Sequence, residues 1–207
     1  ADRKTFELLA LGQTEGLFQL NGSGMTAYLK QLKPTTIHDI NAMVALYRPG
    51  PMQFIPLYIE RKYKPHLVRY LDPALEPILK QTYGVLVYQD DLLLIAIHIA
   101  GYSWGEADKF RKAVGKKIPE EMAKQKEHFI TGCVEHSGWP LKKAQELWNW
   151  IEPFAAYGFN KAHSASYGRV AYQTAYMKAN FPVEYMTAIL TAESGDVEKI
   201  SEIVKEC

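Results

Sequence analysis

The sequence predicts a mainly α protein, a multi-helix domain with little or no β-structure. Along most of its 207 residues, apolar side chains recur at spacings of three and four, the period of a helix with one buried face. Glycine, proline and capping residues interrupt this pattern where helices would end. Short apolar runs that would suit a strand occur only near residues 16–20 and 85–87.

The chain up to residue 62 is predicted to hold four helices, each followed by a stop signal. Gly12 ends the first and Pro34 the second, while the rigid Arg-Pro-Gly-Pro turn at 48–51 ends the third. The fourth is interrupted by Pro56. The predicted ranges are 4–11, 24–32, 37–47 and 52–62.

Residues 63–84 are predicted to form an irregular connection, because three prolines lie there among charged and aromatic residues. We therefore expect an internal boundary that divides the chain into 1–83 and 84–207.

The helical pattern is cleaner after residue 84. Ser103 and Glu106 have the spacing of a capping box, and Gly115 is expected to stop that helix in a left-handed conformation. Pro119 suits the first turn of the next helix. The predicted ranges are 89–100, 103–114, 119–136, 141–154, 161–180, 182–193 and 197–206.

Composition excludes several classes of protein. The net charge of +1 excludes a uniformly basic nucleic-acid coat. The sequence contains no run of 18 apolar residues, so it predicts no membrane span. Two cysteines, 74 positions apart, exclude a disulfide-rich scaffold and fit a reducing compartment. The sequence lacks an initiator Met and ends inside an amphipathic pattern, so we expect a fragment of a longer protein.

The densest basic segment, KFRKAVGKK at 109–117, has five cations and no anions in nine residues. On a helix, Ala107, Phe110 and Val114 share one apolar face and Arg111 flanks it. An arginine whose aliphatic part packs against an apolar face has its guanidinium group held in one direction, which suits bidentate contact with phosphate. A solvated basic face remains the alternative.

A second cluster lies at 157–168, YGFNKAHSASYG. His163 and Tyr167 share a helix face, and Asn160 could cap that helix, leaving N–H groups that attract an anion. Lys161 and Ser164 lie on an adjoining strip of small residues. The cluster therefore suits a phosphate with a sugar or base, and an ordinary capped and tightly packed helix is the alternative.

Arg48 belongs to a third candidate, the rigid turn at 48–51, which can hold a guanidinium in one place. A helix terminator with a surface arginine is the alternative, unless the three clusters meet in space.

Carboxylates and histidines do not predict a metal site. Asp90 and Asp91 are expected to diverge on a helix, and capping accounts for Glu106 and Asp108. The six histidines show no HxxxH or HExxH spacing, and no third ligand accompanies His128 and His136.

Five long stretches, in order, then point to a family. They are EGLFQLNGSGM, DINAMVALYRPGPM, TYGVLVYQDDLLLIAIHIAGYSWGEADKFRKAVGKK, PEEMAKQKEHFITG and FAAYGFNKAHSASYGRVAYQTAYMKANFPVEYM. Together they make the chain resemble the C-family replicative DNA polymerases of bacteria over essentially all its residues.

The resemblance implies a helical fingers domain, with 84–207 as its nucleotide-binding part. It implies that the fingers bind the triphosphate of the incoming dNTP and contact primer–template DNA. The implied nucleotide-binding residues are Arg48, Arg111, Lys112, Lys116, Lys117, Asn160, Lys161, His163, Ser164 and Tyr167.

By the same resemblance, Mg²⁺ would be held by palm aspartates outside this sequence, with no metal bound by this segment. The isolated segment is expected to be inactive. The implied partners are the remaining polymerase chain and replisome subunits such as the sliding clamp, reached through other regions, in the cytoplasm and without a membrane.

The sequence departs from the family pattern at three places. Lys112 replaces a common Arg, Gln89-Asp90-Asp91 replaces Gln-Glu-Gln, and Ala162 replaces a Ser. None of these changes removes the basic and polar character of the predicted pocket. A non-catalytic helical module that binds nucleic acid or a protein partner, and a helical scaffold with solvated basic segments, remain alternatives.

Overall fold

The computed structural model describes residues 2–116, 119–154 and 157–206, which fold into twelve α-helices with no strand among them. The mainly α prediction is therefore confirmed. The helices are α1 Arg3–Leu11, α2 Ser23–Leu32, α3 Ile37–Leu46, α4 Ile55–Tyr63, α5 Glu76–Leu79, α6 Gln89–His98, α7 Trp104–Lys116, α8 Pro119–Ser137, α9 Leu141–Phe154, α10 Lys161–Asn180, α11 Pro182–Ala192 and α12 Val197–Glu206.

Capping residues fix the helix ends much as the sequence indicates. Gly12 follows α1 with φ 74°, and its N–H donates to the last carbonyls of the helix. The backbone N–H of Ser103 donates to the Glu106 carboxylate at 2.8 Å, and the Glu106 N–H donates back to Ser103 Oγ at 3.3 Å. The predicted capping box before α7 is therefore confirmed.

Three local predictions differ from the structure. Gly115 does not stop α7 but lies within it, since a helix tolerates a solvent-facing glycine at modest cost. Pro56 lies in the first turn of α4, where its missing N–H leaves no hydrogen bond unmade. Residues 16–20 form turns, and beside 85–87 the only pairing among the described residues is one bridge between Tyr88 and Phe159.

Residue contacts divide the chain into two compact units, which do not follow the expected subdivision at residue 84. Arg48–Lys161 forms one unit, and the flanking segments, up to Tyr47 and from Ala162 onward, form the other. Residues 63–84 belong inside the first of these, because Leu75 and Leu79 are fully buried in its core. We call Arg48–Lys161 the central unit and the flanking segments the terminal unit.

The core of the central unit is a cluster of aromatic rings between α7, α8 and α9. The rings of Phe110 and Phe129 stack with centroids 5.4 Å apart, and Trp148 packs against both. Ala107 and Val114 are also fully buried, so the predicted apolar face of α7 is confirmed. This packing fixes the rotation of α7 and hence the direction of its basic side chains.

The terminal unit buries the apolar faces of α1, α2 and α3, with Leu9, Leu29 and Met43 fully enclosed. From α10, Ala171 and Ala175 are also buried. No helix in the described ranges is both long and apolar enough to cross a bilayer.

Candidate functional site

Two segments of the central unit join edge to edge and bring polar side chains together. The Gln89 N–H donates to the Phe159 carbonyl at 2.9 Å, and the Phe159 N–H donates to the Val87 carbonyl at 3.3 Å. These bonds hold the start of α6 against the segment before α10. We call residues 87–91 and 157–161 the junction.

Arg48 lies against the junction. Its guanidinium carbon is 4.4 Å from the Phe159 ring centroid, and Nη2 donates to the Tyr157 carbonyl at 2.7 Å. Partial burial lowers the pKa of Arg48. Gly50, at φ 97°, brings the Arg-Pro-Gly-Pro turn so close that a Cβ there would lie 2.3 Å from the Tyr157 ring. The turn therefore holds Arg48 in one place.

Arg111 reaches the junction from α7. Its Nη1 donates to Gln89 Oε1 at 3.3 Å, while Nε and Nη2 both donate to Asp108 Oδ1, at 3.2 and 2.8 Å. The mostly exposed Lys112 places Nζ 2.7 Å from Asp108 Oδ2. Hydrogen bonds from Lys112 and Arg111 lower the pKa of Asp108.

Asp108 is therefore the counter-ion of the basic segment. The sequence interpretation, which assigned Asp108 to helix capping, is wrong on this point, because Glu106 is the capping residue. The spacing could have revealed the pairing, since Arg111 and Lys112 follow Asp108 by three and four residues.

Lys161 is held by both neighbouring aspartates. Its backbone N–H donates to Asp90 Oδ2 at 2.9 Å, and its Nζ lies 3.5 Å from Asp91 Oδ1 and 5.3 Å from the Tyr88 ring centroid. The two carboxylates thus reach different ends of Lys161, Asp90 the backbone N–H and Asp91 the side-chain ammonium. The first N–H of α10, predicted to await an anion, is already bonded to Asp90.

Asp91 is the most deeply buried carboxylate of the junction, only 1% exposed. Its Oδ2 accepts the Tyr88 backbone N–H at 3.3 Å, while Oδ1 has no hydrogen-bond partner among the described residues. Burial raises the pKa of Asp91 to about 6, although the Lys161 charge opposes the rise.

The terminal unit holds a second cluster on the first turns of α10. The exposed His163 ring lies 4.1 Å from the Tyr167 ring, which also contacts Phe18 at 5.3 Å between centroids. The Ser164 hydroxyl is buried and donates to the Asn41 carbonyl at 2.6 Å. Ser164 therefore packs α10 against α3, and its predicted contact with a nucleotide stays a prediction.

The predicted residues thus fall into two groups. Lys161 lies in the junction, Arg48 and Arg111 contact it, and Lys112 shares the Asp108 carboxylate with Arg111. The exposed Asn160 immediately precedes α10 within the junction. His163, Ser164 and Tyr167 belong to the terminal unit. Lys116 is the last residue of α7, and Lys117 lies outside the described residues.

Comparison with known proteins identifies the family. The model of the family described as bacterial DNA polymerase III alpha subunit finger domain matches residues 1–137. The chain belongs to this family. The finger-domain match covers the turn at 48–51, the start of α6 and all of α7.

Curated relatives of this finger domain extend the similarity to the rest of the chain. The chain is 49% identical to the DNA polymerase III subunit alpha of Thermus aquaticus, 46% identical to that of Rickettsia prowazekii and 45% identical to that of Bacillus subtilis. These matches cover 99%, 99% and 100% of this chain. The chain spans 17%, 17% and 18% of the relatives' lengths, about a sixth.

The described residues of this finger domain hold no group of three or more His, Cys, Asp or Glu side chains arranged for a metal ion. The His128 ring stacks on Tyr102, with centroids 4.7 Å apart. His136 packs close to Gly101. Both histidines therefore have packing roles on the surface of α8.

The raised pKa of Asp91 predicts a pH-dependent stability of the finger domain. Because the folded state holds this proton more tightly than the unfolded chain, the stabilisation present below pH 4 is lost as pH rises through about 6. Asp91→Asn should therefore reduce the decline in unfolding free energy between pH 4.5 and 7.5 by about 1–3 kcal/mol. Urea unfolding at a series of pH values measures this decline.

Asp90→Asn is the matched control, because its carboxylate is less buried and Asp91 stays in place. It should retain most of the native pH dependence. Parallel pH curves for the native chain and Asp91→Asn would contradict the assignment.

Proposed function

We propose that this chain is the part of a DNA-directed DNA polymerase that holds the triphosphate of the incoming dNTP opposite primer–template DNA. The observation that carries the proposal is the gathering of Arg48, Arg111 and Lys161 at the junction. Family membership supports it, since the relatives are named DNA polymerase III subunit alpha.

The contacts of these three cations suit phosphate binding. Arg111 already directs two N–H groups at one carboxylate oxygen of Asp108, and a phosphate oxygen has the same charge and accepts the same bonds. The Tyr157 carbonyl fixes Arg48, and the side chains of Asp108 and Gln89 fix Arg111, before a ligand arrives. Such preorganised donors stabilise negative charge as it moves to the leaving pyrophosphate.

The carboxylates at the junction do not fit the two-metal chemistry of nucleotidyl transfer, which needs several convergent free carboxylates. Asp90 and Asp91 are engaged by Lys161, and Asp108 by Arg111 and Lys112. We therefore propose that Mg²⁺ is held by residues outside this segment and that the segment alone does not polymerise DNA.

For the terminal unit, taken by itself, we propose contact with nucleobases. His163 and Tyr167 present paired rings on α10, and rings of this kind stack on nucleobases irrespective of sequence. Primer–template DNA and the rest of the polymerase chain, through which replisome subunits such as the sliding clamp would be reached, are the proposed partners.

Lys161→Ala tests the proposal in the full-length subunit bound to primer–template. Loss of one charged phosphate contact should weaken dNTP binding by about tenfold to a hundredfold, since hydrogen bonds to charged groups contribute roughly 1.5–3 kcal/mol. The dissociation constant of the next correct dNTP, measured on a chain-terminated primer, reports this directly. Lys124→Ala on α8, which removes a mostly exposed lysine, is the matched control and should leave dNTP affinity unchanged.

The same variant distinguishes dNTP binding from the alternative function, binding of nucleic acid without catalysis. If the chain were only a nucleic-acid-binding module, Lys161→Ala would weaken binding of DNA and reduce the slope of log affinity against log salt, without an effect on dNTP. That outcome, or an unchanged dNTP affinity, would contradict the proposed contact.

A further inference from the structure

The two partners of the Lys161–Asp91 ion pair differ in burial, and this difference has a functional consequence. Asp91 is buried and its Oδ1 lacks a hydrogen bond, whereas 38% of the Lys161 side chain is exposed. We propose that Asp91 is a reserve counter-ion: a phosphate group of the nucleotide draws the Lys161 ammonium away, and the Asp91 carboxylate takes up a proton from solvent. This inference rests on the proposed function of Lys161.

The geometry favours departure of the ammonium. The 3.5 Å separation of Lys161 Nζ from Asp91 Oδ1 is longer than that of a strong charged hydrogen bond, about 2.7–2.9 Å. Meanwhile the Lys161 backbone N–H stays bonded to Asp90. The side chain can therefore swing toward a ligand while the first residue of α10 remains in place.

Asp91 cannot follow the ammonium. Its Oδ2 is bonded to the Tyr88 N–H, and the carboxylate lies in the first turn of α6, beneath the surface. A buried carboxylate that loses its counter-charge is strongly disfavoured. Protonation removes that charge, so each nucleotide bound adds up to one proton to Asp91 while Lys161 remains an ammonium throughout.

The surrounding charges support this sequence of events. On Asp91 itself, the charge of Lys161 lowers the pKa, whereas burial and the neighbouring Asp90 raise it. With the ammonium gone, burial and Asp90 still favour the protonated form, and the Tyr88 N–H bond is the remaining influence that opposes them.

Within the part of the chain that the structure describes, the elements around Asp91 supply no replacement cation. From α7, Arg111 reaches the Gln89 amide and Asp108, and Lys112 also pairs with Asp108. From α5, Glu76 is exposed. The Tyr88 ring lies beneath the Lys161 ammonium, and Arg48 lies over the ring of Phe159. None of these contacts places a second positive charge on Asp91.

Calorimetric titration of the full-length subunit tests the proposal. The next correct dNTP with Mg²⁺ is titrated into the complex with a chain-terminated primer–template, at pH 7, in two buffers that differ in ionisation enthalpy. The difference in apparent enthalpy gives the protons taken up. We expect up to one additional proton in the native enzyme compared with Asp91→Asn, because the nucleotide's own protonation contributes equally to both.

Affinity should change in parallel. Between pH 6 and 8 the native enzyme should lose dNTP affinity relative to Asp91→Asn, by a factor approaching ten per pH unit where linkage to one proton is complete. Asp91→Glu keeps a titratable carboxylate and should restore proton uptake. This rescue distinguishes a proton acceptor from a merely structural side chain.

Equal proton uptake by the native enzyme and Asp91→Asn would overturn the inference. Should Asp91→Asn fail to fold, native enzyme that takes up no proton beyond that of the nucleotide would overturn it as well. Lys161→Ala separates the two proposals. Unchanged dNTP affinity in that variant refutes the Lys161 contact itself. Weakened affinity in that variant, together with no Asp91-dependent proton uptake by the native enzyme, refutes only the counter-ion role.

Discussion

Replacing Arg111 by glutamate is expected to weaken dNTP binding by the full-length subunit at least about a hundredfold. The change removes a fork that donates two N–H bonds and places a second carboxylate beside Asp108. A bidentate charged contact is worth roughly 1.5–3 kcal/mol, and the new repulsion adds to its loss. The dissociation constant for dNTP on a chain-terminated primer measures the effect.

Lys109→Glu is the matched control, because it reverses a charge on the same helix. Lys109 is exposed on the face opposite the buried stripe and makes no contact with the junction that the structure records. Its reversal should change dNTP affinity by less than about threefold at physiological salt, where exposed charges are well screened. Equal losses for both variants would show a diffuse electrostatic effect and refute the specific role of Arg111.

Replacing Gly132 by alanine is expected to destabilise the central unit by about 2–3 kcal/mol, the cost typical of overpacking. Gly132 lies in α8, where an added Cβ would be 2.3 Å from the Ala100 carbonyl oxygen and 3.2 Å from the Ala100 Cβ. Backbone atoms cannot rotate away, so α8 must shift from the chain after α6. Denaturant unfolding of the 207-residue chain gives the change in free energy.

Gly115→Ala makes the same substitution in another helix of the same unit. An added Cβ at Gly115 meets no atom within 4 Å, and the residue is helical. Alanine there should therefore stabilise the chain by about 0.5–1 kcal/mol. If both variants shift stability in the same direction, the close approach of α8 to Ala100 is not the cause.

Local chemistry in the sequence was sufficient to place most helices. The predicted and observed bounds agree for Leu141–Phe154, Lys161–Asn180 and Val197–Glu206. Helix formation depends on neighbours three and four residues away and on capping groups, and both are visible in a sequence. The prediction for Gly115 was wrong because a glycine can either end a helix or lie within one, and the local sequence does not distinguish the two cases.

The candidate site was predicted only in part. Arg111 and Lys161 could be selected from charge and helix position, but their partners in the start of α6 lie far away in the sequence. Gln89 is 22 residues from Arg111, and Asp90 is 71 residues from Lys161. Sequence spacing carries no information about such contacts, so the sequence alone does not predict the junction.

The sequence by itself determined the helical class, the buried face of α7 and the identity of the basic side chains, because these follow from short-range periodicity and composition. Tertiary structure alone decided the contacts between distant segments. It brought Gln89 to Arg111 and Asp90 to Lys161, and it buried Asp91 beside a half-exposed Lys161. Electrostatic interaction depends on distance and burial, and both are set by the packing of distant segments.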